Sequence, residues 1–99
     1  MTISTPILTA YKGASLEAIF ACQGDAPKNM RVSAYITPLM SDGGNIMLEC
    51  KWDESSKSIT VGLPSAKSSK LSPGRYSYSI ELQYGGSKNV FKNYLLVEP

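Results

Sequence analysis

The chain has no histidine, two cysteines and a single tryptophan in 99 residues. Each shortage removes a class of chemistry. Without histidine, acid–base relays and most zinc sites lose their usual participant. Cys22 and Cys50 are too far apart in sequence to form a Cys-x-x-Cys redox or zinc motif. No run approaches the roughly 20 apolar residues that a membrane-crossing helix needs. Charge of one sign is also scarce, because 10 Lys+Arg against 8 Asp+Glu leave a net charge of +2. These charges are scattered rather than gathered into the basic stripe that a nucleic-acid partner requires, and only Lys67, Lys70 and Arg75 come near one. Helix-period patterning is missing too, so a phosphate-cradling loop has no helix to open.

The acidic residues fall in turns (Asp25, Asp42, Asp53, Glu54) or at wet strand positions (Glu17, Glu49, Glu81). Their one close pair, Asp53 and Glu54, reads as a solvated turn rather than an acid–base couple. Calcium needs about six oxygen ligands, and neither the loop from Asp42 to Asn45 nor the turn at Asp53 supplies them. The expectation is a non-enzymatic protein with no cofactor, no metal site, no nucleic-acid partner and no membrane span.

What the sequence does have is alternation. Tyr76, Tyr78, Ile80, Leu82 and Tyr84 are interleaved with Ser77, Ser79, Glu81 and Gln83. A period of two over nine residues describes a strand with one buried and one wet face. Met30, Val32, Ala34 and Ile36 repeat it, as do Ile59, Val61 and Leu63. Seven strands are expected, over 3–11, 15–23, 30–38, 45–52, 58–63, 75–84 and 88–97. Turn residues separate them: Lys12-Gly13, Gly24-Asp25-Ala26-Pro27, Asp42-Gly43-Gly44-Asn45, the polar run 53–57, and the two-residue hairpin signal Gly85-Gly86. The segment 64–70 starts with proline and lacks an apolar stripe, so it reads as a crossover with at most one helical turn. The expected fold is all-β: one domain over 1–99, a two-sheet antiparallel immunoglobulin-like sandwich of about seven strands, with a small open barrel as the alternative.

Cys22 shares parity with Leu16, Ala18 and Phe20, and Cys50 with Ile46, Leu48 and Trp52, so both are expected to be reduced, buried thiols. The start of the chain has neither a basic region nor an apolar run of signal-peptide length. A first strand and a cytosolic origin are expected there, which disfavours a disulfide.

Some apolar residues lie on the wrong parity for the core. Tyr35, Met47, Tyr94 and Leu96 each fall opposite their strand's apolar set, whereas Phe91, Leu95 and Val97 are the inward residues of the last strand. In an immunoglobulin-like order the sixth strand lies between the third and the seventh, and its outward Ser77 and Ser79 are small enough for Tyr35 and Tyr94 to approach across it. These four residues form the candidate protein–protein interface. Tyr76 follows Pro73-Gly74 at the position where a tyrosine corner sets its hydroxyl against the backbone of the preceding loop.

The run Leu71, Pro73, Gly74, Tyr76, Tyr78, Ile80, flanked by the Lys12-Gly13 turn, a Gly-rich middle hairpin and Gly85-Gly86, resembles the small immunoglobulin-like modules of tailed-bacteriophage virion proteins. The N-terminal domain of siphophage upper baseplate proteins is one such module. Fibronectin type III domains share the leucine-proline-glycine-tyrosine corner. Here, however, the tryptophan, Trp52, ends the fourth strand, and the sixth strand lacks the cysteine of antibody domains. The resemblance implies a virion structural protein of the tail, baseplate or fibre-attachment apparatus, made in the host cytoplasm. Its partners would be other virion proteins and copies of itself, as trimer or hexamer. The alternatives are a capsid decoration protein and a cell-surface, receptor or carbohydrate recognition module.

Overall fold

The alternation that dominates the sequence is realised in a strand running Gly74–Tyr84, in which Tyr78, Ile80 and Leu82 are buried. Burial of each such side chain stabilises the fold by about 1.5–3 kcal/mol. The computed structural model describes residues 1–25, 27–39 and 44–99. Its strands are β1 (Thr2–Ile3), β2 (Leu8–Tyr11), β3 (Leu16–Gln23), β4 (Arg31–Pro38), β5 (Ile46–Asp53), β6 (Ser58–Leu63), β7 (Gly74–Tyr84) and β8 (Ser87–Glu98), with one helical turn, α1 (Ser65–Ser68), after β6. The crossover with a single helical turn is therefore present. Ser68, buried within it, donates a 2.7 Å hydrogen bond to the Ala14 carbonyl and so fastens the crossover to the turn before β3.

The strands pair in the order β1-β3-β6-β5-β4-β7-β8-β2, antiparallel throughout except for β2 beside β8. The sheet is strongly curled. Phe20 on β3 and Tyr78 on β7 are separated by β6, β5 and β4 in this order, yet their ring centroids lie 6.1 Å apart across the core. Around them pack Ala34, Ile36, Ile59, Val61, Ile80 and Leu95.

Two strands depart from the expected pattern. The strand expected over 3–11 is two strands, which makes eight rather than seven. Pro6 lies in the break, where its missing N–H could not have served a ladder. β1 stays on β3, whereas β2 crosses to lie parallel to β8. Side chains of β7 and β8 hold the crossing: Tyr78 donates its hydroxyl to the Pro6 carbonyl, and Asn93 donates to the Thr5 carbonyl at 2.6 Å. The other departure is in β5, which divides its pairing. Ile46, Met47 and Leu48 face β4, and the stretch from Glu49 to Asp53 faces β6.

The final hairpin is as tight as its sequence suggests, with Tyr84 paired directly to Ser87. Its two loop residues, Gly85 and Gly86, have φ of +56° and +76°, the left-handed values that a two-residue turn of this hand demands and a side chain resists.

Candidate functional site

The outer face of β5, β4, β7 and β8 carries all four residues singled out from the sequence. Register fixes their places. Tyr35 on β4 stands opposite Met47 on one side and Ser79 on the other, Tyr94 on β8 stands opposite Ser77, and Leu96 stands opposite Arg75. Met47 is 53% exposed and Tyr94 45%, while Tyr35 and Leu96 are half-buried. All four therefore point away from the core, whose nearest members, Ala34, Ile36 and Leu95, lie on the alternate parity.

The two tyrosines do not meet. The Tyr35 hydroxyl donates to Glu81 Oε1 at 3.1 Å, and the Glu81 carboxylate also pairs with Lys88 at 3.3 Å. The guanidinium of Arg75 lies 5.3 Å from the centre of the Tyr94 ring, a cation–π arrangement worth about 0.5–1 kcal/mol at an exposed site. Glu81 and Arg75 are on opposite sides of the serines along β7, so each tyrosine leans away from the other. Between them Ser79, only 4% exposed, sits low between the larger Tyr35 and Lys92. Beside it a shallow hollow of about 370 Å3 opens over Ser77, bordered by Leu39, Lys92 and Tyr94.

Leu39 joins this face without having been singled out from the sequence. It is 45% exposed and follows Pro38 just past the end of β4, where strand alternation no longer assigns a side. Arg75 and Glu81 were also missed as elements of the face. Alternation assigns them to the wet side, but the contacts of Arg75 with the Tyr94 ring and of Glu81 with the Tyr35 hydroxyl follow from cross-strand register, which local pattern does not contain.

Chemistry elsewhere is sparse. Asp53 Oδ1 accepts from the Ser55 hydroxyl at 2.7 Å and the Ser55 amide at 3.0 Å, and hydrogen bonds from the Ser55 hydroxyl and from Ser56 hold its carboxyl below the usual carboxylate range. That carboxylate organises the β5–β6 turn. The loop at 42–45, set aside above as a calcium site, lies partly outside the described residues. Among the described residues no group of three or more His, Cys, Asp or Glu is placed to hold a metal ion, and no helix is long and apolar enough to cross a membrane.

Both cysteines are free thiols. Cys22 is buried as expected, but Cys50 is only half-buried, like the other inward residues of β5, Ile46, Leu48 and Trp52. Burial pushes the Cys22 thiol pKa up and carries that of Cys50 to about 11.

Neither a protein-family model nor a curated protein matches the sequence.

Proposed function

We propose that this chain is a non-enzymatic structural protein of a bacteriophage or prophage virion, from the tail, baseplate or fibre-attachment apparatus, acting through protein–protein contacts. The carrying observation is the outer face of β4, β5, β7 and β8, where Met47, Tyr94 and Leu39 are each 45% exposed or more around small serines. Exposed aromatic and Met side chains beside small polar residues are the composition of a docking surface. The proposed fold is the immunoglobulin-like sandwich. Partner changes at the β1–β2 break and within β5 support reading the curled sheet as two layers, as does the Phe20–Tyr78 contact across the core. The Tyr76 hydroxyl on the Ser72 carbonyl supports it as well, as a tyrosine corner. The virion reading rests on the resemblance carried by Leu71, Pro73, Gly74, Tyr76, Tyr78 and Ile80.

The test is mass spectrometry of phage particles purified from a culture that expresses the chain from its native locus. Recovery in fixed ratio to the other virion proteins is expected. Gold-labelled antibody at the tail supports the leading assignment, and label over the capsid supports decoration. A chain found only in the particle-free fraction defeats the reading.

A further inference from the structure

Every open sheet edge among the described residues carries some protection, with one exception. The edge of β5 left free when it turns from β6 to β4 is capped by Lys67, whose Nζ donates to the Met47 carbonyl at 2.7 Å. The seam between the start of β4 and the end of β5 carries Arg31, Glu49, Lys51 and Asp53. β2 is only four residues long. β3 differs. β1 covers only Gln23 and Cys22 of it, so from Leu16 to Ala21 its outer edge has no strand partner among the described residues. That stretch, Leu-Glu-Ala-Ile-Phe-Ala, contains no Lys, no Pro and one charge, and its pairing to β6 runs in unbroken register with no bulge. Natural edges are blunted by the features missing here.

The backbone direction along this edge is fixed by one bond. The Cys22 amide donates to the Lys57 carbonyl at 2.9 Å on the β6 side, so the even-numbered residues of β3 face β6. By alternation the N–H and C=O groups of Glu17 and Ile19 point outward. They open onto a groove of about 630 Å3 lined by Ile3, Pro6 and Leu8 on one side and Ala18, Ile19 and Phe20 on the other. Ile19 is 67% exposed there, the highest value among the large apolar side chains of the described residues.

We propose that this edge is where two copies of the chain join, β3 against β3, antiparallel about a two-fold axis at Ala18. Sequence and topology select that register over its neighbours. An axis at Glu17 would set two carboxylates directly opposite each other, which destabilises a pair. An axis at Ile19 would drive Leu16 of the second copy into the place opposite Cys22 that Ile3 already fills. An axis at Ala18 sets the smallest side chain at the closest approach and Leu16 against Phe20 of the other copy on the inner face. On the outer face it sets Glu17 against Ile19. The outward backbone groups of Glu17 then bond those of Ile19 on the second copy, and the reverse, so each copy satisfies the other's open edge. This contact is separate from the outer face of β4, β5, β7 and β8, and it is unaffected if that face has no virion partner.

Sedimentation equilibrium of the purified chain should show dimer rising with concentration, and Ile19→Glu, which sets a second carboxylate directly opposite Glu17 of the other copy, should weaken the association at least about tenfold. At so exposed a position, and with the β6 ladder carried by the even-numbered residues, the circular dichroism of that variant should match the parent. Under mild oxidation Ala18→Cys should give a covalent dimer, since residues opposite at a non-hydrogen-bonded site have Cα atoms about 4.5 Å apart, within the span of a disulfide; Glu17→Cys should not. In the unmodified protein the Glu17 and Ile19 amides should gain hydrogen-exchange protection as concentration rises. A monomer up to about 1 mM, a dimer indifferent to Ile19→Glu, cross-linking at Glu17→Cys instead of Ala18→Cys, or amide protection independent of concentration would each overturn the proposal.

Discussion

The Tyr76 hydroxyl donates a 2.7 Å hydrogen bond to the carbonyl of Ser72, closing the loop that delivers the chain into β7. Since the ring is half-buried against the core, the bond and the packing are separable by mutation. Tyr76→Phe should lower stability by about 1 kcal/mol, the net worth of one hydrogen bond, and Tyr76→Ala by about 2–4 kcal/mol. Ser77→Ala, on the other face, should stay within about 0.5 kcal/mol of the parent. Urea denaturation midpoints provide the check, and equal midpoints for Tyr76→Ala and Ser77→Ala would contradict the facing of β7.

Stability should fall at alkaline pH for two identifiable reasons. Burial carries the Cys50 thiol from 9.0 to about 11 and the Tyr78 hydroxyl from 10.0 to about 12. In both cases the folded state holds the proton more tightly than the unfolded one, so the stabilisation is complete below the unfolded pKa and is lost as pH rises through the folded value. The expected decline spans pH 9 to 11 for Cys50 and 10 to 12 for Tyr78. Denaturant titrations at stepped pH should show it, and Cys50→Ala should delay its onset. A stability flat across that window would be inconsistent with these environments.

The two thiols should also be slow to react in the native protein. A pKa near 11 leaves Cys50 with roughly a hundredfold less thiolate at neutral pH than an unperturbed thiol, and Cys22 is buried in the core. Alkylation should be slow until denaturant is added and should then label both sites. Fast labelling without denaturant, or a non-reduced mass two hydrogens short, would contradict free, protected thiols.

Strands with their own internal alternation were legible from sequence. Tyr78, Ile80 and Leu82 mark the buried face of β7 without any knowledge of its neighbours, and Gly85-Gly86 fixes the hairpin to β8. Choices between partners were not legible. The stretch of β5 from Ile46 to Trp52 alternates uniformly, although its first part belongs to β4 and its last to β6. Pro6 signals a break but not that β2 will cross to β8. At the candidate site, parity alone put Tyr35, Met47, Tyr94 and Leu96 on one outer face. The separation of the two rings depends on Glu81 and Arg75, which reach them only through the β4–β7–β8 register.

Tyr94 and Met47 are largely exposed, and their removal from water at roughly 25 cal/mol per Å2 is the main favourable term a partner gains from this modestly charged surface. Because Tyr35 and Tyr94 lean apart, each contributes to a different end of the contact, so the two should be replaced together. On the proposed virion role, Tyr35→Ser with Tyr94→Ser should weaken docking to virion particles at least about tenfold, a loss of about 1.4 kcal/mol, measured by co-sedimentation. Both side chains lie outside the core, so the double variant should keep the parent's circular dichroism. Adding Leu39→Ser, at the border of the hollow over Ser77, should weaken docking further. Unchanged co-sedimentation in the triple variant would move the docking surface away from β4, β7 and β8.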